Sequence, residues 1–99
     1  MAELFDQFLQ LRKRTEHARL EFIWTDLDVI LTFAAIADTE YHSGNREHAE
    51  RILALAEKGY SDMLLHFSKT EGRTPEIEGE FKSKFKNVRE RLDGLGKFR

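Results

Sequence analysis

The chain contains no cysteine, which excludes disulfides, thiolate catalysis and cysteine-ligated zinc together. Proline is nearly absent too: Pro75 stands alone, with six glycines in 99 residues, so little of the sequence reads as linker. Long apolar runs are missing. The longest, Val29 to Ala37, falls well short of the roughly 20 residues a membrane-crossing helix needs. The opening stretch, MAELFDQFLQLRKR, lacks the basic-then-apolar order of a secretory signal. No segment alternates apolar and polar residues over a strand's length, so no strand is expected. These absences lead to the expectation of one cytoplasmic domain over 1–99, with no membrane partner.

What is present is helical pattern and charge. Apolar residues make up 40% and charged ones 34%, the balance of a helical protein with a heavily charged surface. Net charge is -2, unevenly spread. Residues 82–99 hold seven Lys/Arg against two Asp/Glu, while residues 1–81 hold nine against sixteen. The two parts are therefore set to attract one another, within one molecule or between two.

The last segment carries the clearest signals. Thr74 suits an N-cap, Pro75 the first helical position, and Glu76 and Glu78 the positive helix start. Ile77, Phe81, Phe85, Val88 and Leu92 then draw one apolar stripe, and Gly94 supplies a stop. Upstream, Ala49, Leu53, Ala56, Tyr60, Met63 and Phe67 keep helical phase straight through Gly59. Leu27, Ile30, Leu31, Ala34, Ala37 and Tyr41 mark a further helix with small residues for close packing. Leu4, Phe8, Leu11, Thr15, Ala18 and Phe22 step by four and three through the first segment. Thr25, with Asp28 three residues on, offers a capping box that would split this first segment from the next. The expected helices are 3–23, 26–43, 46–69 and 75–93, with the first two either separate or fused.

Between the second and third of these lies His42-Ser43-Gly44-Asn45. Gly44 can take the positive φ that ends one helix and Asn45 can cap the next, forcing an antiparallel hairpin. Phe33, Ile36, Ala37 and Glu40, then Gly44 and Asn45, then Ala49, Leu53 and Ala56 fall at the spacing of a tetratricopeptide repeat. The chain resembles one such repeat over about residues 30–61. Glu40 stands where that family has Tyr, and Ser61 where it has the closing Pro. One period on, Phe67 fits the first position, but Thr70 and Glu71 depart from the next two. The resemblance implies a helical hairpin. Peptide binding of the family's kind would need about three stacked repeats.

The fold class expected is therefore all-α, an antiparallel three- or four-helix bundle around this tetratricopeptide-like hairpin. For function, His42 and His48 flank the elbow, and Asp38/His42, Asp62/His66 and His17/Glu21 are carboxylate–histidine pairs four apart. That spacing could serve a divalent ion, but it is equally the spacing of ordinary helix-surface pairs. No H-E-x-x-H occurs, and no Glu stands three before a histidine. Ser43 beside His42 is no nucleophile elbow, and Gly44 has no phosphate-cradling companions. No catalytic residue, metal ligand or cofactor is assigned, and an enzyme is not expected.

Lys82, Lys84, Lys86, Arg89 and Arg91 lack aromatic platforms interleaved with them on one exposed face, so nucleic acid is not the expected partner. The leading expectation is a non-enzymatic protein-interaction module, with a second copy or another protein as partner. Its candidate anchors are Phe8, Leu11, Trp24, Phe81 and Phe85. The alternative is a metal- or small-ligand-binding bundle using His42, His48 or His66.

Overall fold

The computed structural model describes residues 2–98, and the side chains of all of these except 2, 5, 8, 9 and 11–13. It consists of three α-helices, α1 (Ala2–His42), α2 (Arg46–Lys69) and α3 (Pro75–Gly94), followed by a 3₁₀ turn over Leu95–Phe98. No strand occurs among the described residues. The fold is all-α, with the three helices packed in an antiparallel up-down-up order set by short connections.

α1 is a single helix of 41 residues. The capping box at Thr25 does not form a break, and the alternative with the first two helices fused is the one adopted. The reason lies in the inward seam. Leu20, Ile23, Leu27, Ile30, Ala34 and Ala37 are all buried, stepping by three and four without a slip across Thr25. A break there would have to forfeit about two turns of packing to gain one cap worth about 1 kcal/mol.

The core is built from that seam, from Ala49, Leu53, Ala56, Tyr60 and Met63 of α2, and from Phe81, Phe85, Val88 and Leu92 of α3. Leu95 closes its end. Ala34, Ala37, Ala49 and Ala56 are all fully buried, and their small size lets α1 and α2 lie close together. Gly59 continues this close approach. A Cβ on it would sit 3.2 Å from two side-chain atoms of Ile30, itself buried and β-branched. Gly59→Ala would ordinarily gain about 1 kcal/mol of helix propensity. Here the contact with Ile30 is expected to cancel that gain and leave the variant less stable in a urea melt. A gain of the full propensity difference would show that this packing is loose.

The helix ends follow local chemistry. Gly44 has φ +85°. Asn45 N–H donates to the Glu40 carbonyl at 2.9 Å and Gly44 N–H to the Tyr41 carbonyl at 3.2 Å, the paired bonds of a Schellman stop. Asn45 does not cap α2 with its side chain as the sequence suggested. Its amide donates back to Glu40 Oε2 at 2.7 Å, while its backbone carbonyl accepts from Ala49 N–H. At α3, Thr74 Oγ1 accepts from Ile77 N–H at 3.2 Å with Pro75 in the first turn. Gly94 ends that helix at the expected place without a positive φ, and the chain passes into the 3₁₀ turn. The turn stacks Phe98 on Tyr41 at 4.8 Å between ring centres.

α1 is far longer than its partners. At 1.5 Å per residue it spans about 62 Å, against about 36 Å for α2 and about 30 Å for α3. Running back from the elbow, α2 reaches the level of Glu16, whose carboxylate accepts from the Glu71 backbone N–H at 3.0 Å. The backbone of residues 2–15 therefore continues past the end of the bundle. The molecule measures 64 × 22 × 16 Å, with a radius of gyration of 17.4 Å. A globular chain of this length would have a radius of gyration of about 13 Å.

Candidate interaction surface

The apolar surface of α1 has two sides. The inward seam is spent on α2 and α3. On the outward side Leu4 is 72% exposed, Phe22 56%, Val29 41% and Ile36 39%. Phe22, Val29 and Ile36 stand seven apart. Ala18, Thr25 and Thr32, all exposed, fill the intermediate positions at steps of three and four. At 100° per residue this outward line lies about 150° around the helix from the buried one. It continues the register traced in the sequence from Leu4 to Phe22. Thr32 and Thr39 return their hydroxyls to the carbonyls of Asp28 and Ala35, each at 3.1 Å. Each thus turns an apolar methyl outward at modest polar cost.

The five anchors proposed from sequence fare differently. Phe81 and Phe85 are each 6% exposed and belong to the chain's own core. Trp24 is half-buried. Its ring meets Phe81 edge-on at 5.1 Å and carries Lys84 Nζ 4.6 Å above its centre. Beside it a groove of about 200 Å³ is lined by His17, Leu20, Glu21, Trp24, Ile77, Glu80 and Phe81, where α1 leaves the bundle. The side chains of Phe8 and Leu11 lie outside the described residues. Sequence reasoning did not single out Val29 and Ile36 as surface. The signal that identifies them is their spacing of seven from Phe22, hidden inside the apolar run 29–37.

Three of the four histidines, His17, His42 and His48, lie against separate carboxylates, while His66 is exposed in the last turn of α2. His17 Nε2 meets Glu21 at 3.0 Å. His42 Nδ1 lies 2.8 Å from the Asp38 carbonyl and 3.3 Å from its carboxylate. His48 Nδ1 approaches Glu40 at 3.3 Å across the elbow. The Asn45 amide, with His48 beside it, holds the Glu40 carboxyl below its ordinary pKa. Glu40, one of the residues that depart from the tetratricopeptide pattern, thus fastens the elbow. Among the described residues, no group of three or more His, Asp or Glu is arranged to hold a metal ion.

Four of the α3 cations are engaged with acidic residues. Lys84 pairs with Asp28 and Arg91 with Asp38 at 3.3 Å, both on α1. Arg89 grips Glu57 of α2 through both terminal nitrogens at 2.7 and 2.8 Å and also reaches Asp93. These bonds, with Glu57 foremost, push its pKa above the ordinary guanidinium value. The guanidinium stands 5.0 Å over Tyr60, whose own pKa rises because its hydroxyl is drawn out of water. Lys86 lies 4.0 Å from Glu90 within α3. The basic C-terminal segment and the acidic body thus meet inside one molecule. No helix among the described residues is long and apolar enough to cross a membrane.

No protein-family model, curated protein or solved structure matches this chain.

Proposed function

We propose that the chain is a non-enzymatic helical interaction module that works by self-association, with the outward face of α1 as its contact surface. The observation that carries this reading is the exposed line of Phe22, Val29 and Ile36 on the side of α1 facing away from the core. A globular monomer scatters its exposed apolar residues, whereas a line of them along one helix marks a contact surface. The overhang of α1 adds to it. A short isolated helix is marginal in water, so a partner packed along residues 2–15 would stabilise the stretch of α1 that runs on past α2 and α3. The hairpin's likeness to a single tetratricopeptide repeat supports an interaction role in general, without a groove of stacked repeats.

Phe22 and Val29 are the residues to change. The expected result is a concentration-stable dimer for the parent chain, by light scattering after gel filtration over a hundredfold loading range. Phe22→Asp with Val29→Asp should give a folded monomer, because both aspartates would have to be buried in the contact. A parent chain that stays monomeric at every loading refutes self-association.

A further inference from the structure

Resting on that reading, we infer that the partner is a second copy whose α1 lies antiparallel along the outward line. Each overhanging arm then covers the bundle portion of the other copy's α1.

Two independent features set the direction. The first is side-chain size. Written as a heptad, the outward line puts Phe22, Val29 and Ile36 at one core position and Ala18, Thr25 and Thr32 at the other. In a parallel pair each layer would meet its own copy, giving layers of large residues alternating with layers too small to fill. In an antiparallel pair the two positions meet across the interface. With the two-fold axis between Phe22 and Thr25, Phe22 faces Thr25 of the other copy, and Ala18 faces Val29. Thr15 then faces Thr32. Large meets small, or middling meets middling, in these layers, and the layer beyond them sets Leu11 against Ile36, two large residues.

The second is charge. Residues 12–19 hold Arg12, Lys13, Arg14 and Arg19 against Glu16 alone. Residues 20–42 hold Glu21, Asp26, Asp28, Asp38 and Glu40 with no Lys or Arg. Arg14 and Arg19 flank the outward line on its N-terminal half, and Glu21, Asp26, Asp28 and Glu40 flank it on the other. Some of these have partners within the chain. Arg19 lies 3.7 Å from Glu16, Glu21 meets His17, Asp28 holds Lys84, and Glu40 holds Asn45 and His48. Parallel copies would place basic half on basic half. Antiparallel copies take residues 12–19 off one another and set them against residues 28–35 of the other copy, where Arg19 comes beside Asp28 and Asp26 while Glu21 faces Asp26 near the axis. The relief of basic-on-basic repulsion is what favours this direction, even where each pair adds little affinity. The 3.5-residue repeat drifts about 20° per heptad on a straight helix, so the two copies wrap with a left-handed twist.

The absence of cysteine makes the test direct. A single Glu47→Cys, on the exposed start of α2, carries one spin label per chain, and the label-to-label distance is read by pulsed electron resonance. Glu47 lies beside the C-terminal end of α1, about 17 residues from the axis. Antiparallel copies then put the labels roughly 50 Å apart, and parallel copies under about 30 Å. Dipolar signal at the long distance, lost with a hundredfold or greater weakening of association in Phe22→Asp/Val29→Asp, is the expected result. A short distance in a dimer that the same substitutions dissolve overturns the orientation and leaves self-association standing. A dimer indifferent to those substitutions, while helical melting confirms that the variant folds, overturns the surface. A label with no partner at any loading overturns the second copy as occupant, and with it the self-association reading.

Discussion

Phe81→Ala is expected to produce the largest loss of stability of any single change considered, about 3–5 kcal/mol. Phe81 is 6% exposed. Its ring stacks on Phe67 at 4.8 Å and receives the edge of Trp24 at 5.1 Å. Removing it takes away the shared member of two aromatic pairs that link all three helices, and opens a cavity that Ile77 and Leu20 have no branches long enough to fill. For a domain of this size each kcal/mol shifts the melting midpoint by about 4–8 °C, so a fall of ~12 °C or more is expected. Trp24 is the sole tryptophan and reports locally: its emission should shift to the red as the groove beside it admits water. The melts are to be compared at one protein concentration, since association itself raises apparent stability. Unchanged stability with altered molar mass would return Phe81 to the role of an interface anchor, as the sequence first suggested.

Leu53→Ala is the second, at about 2–5 kcal/mol. Leu53 is fully buried at the centre of α2, among the alanines that bring α1 close. The neighbouring helices are held apart by other residues and can collapse onto the void only in part. Leu55→Ala is its control, two residues away and 60% exposed. Its expected effect is near zero, with a small gain from alanine's helix propensity. Comparable losses at both positions would mean that the outer side of α2 is covered by something, and that the assignment of faces on α2 is mistaken.

These two residues also show what the sequence made legible. In α2 and α3 the apolar positions keep one phase from end to end. The stripes Ala49-Leu53-Ala56-Tyr60-Met63 and Phe81-Phe85-Val88-Leu92 are buried as the spacing implied. The caps at Thr74 and Gly44 were equally plain, because each rests on a residue type with a local conformational reason. α1 was harder to read. Its first half shows one apolar phase, Leu4 to Phe22, and its second half another, Leu27 to Tyr41. Change of phase along a chain is the usual mark of a break. Here it is a change in which face is counted: the inward seam begins at Leu20, the outward one runs on through Ile36, and both are carried by one rod. Periodicity reports an angle around a helix and says nothing of what lies in that direction. For the same reason the burial of Phe81 and Phe85 could not be told from exposure in a contact between copies. Asn45 is a different case. Its residue type fits a cap, and only the position of Glu40 across the turn shows that its amide is used the other way.

The continuity of α1 through Thr25 has a mechanical meaning. A helix is a shaft as well as a spacer: each residue advances it 1.5 Å and turns it 100°. The buried seam grips this shaft from Leu20 onward, with Glu16 tied to the Glu71 backbone just upstream, and so fixes the azimuth of the helix beyond it. One residue inserted or lost between Ala18 and Arg19 would leave the packed core undisturbed, yet would swing the whole arm through more than a quarter turn. Seven residues would restore its heading to within about 20°. The spacing between the arm's outward residues and the seam at Leu20 is thus quantised by the pitch of the helix, and the bundle serves the arm as a clamp that sets its direction.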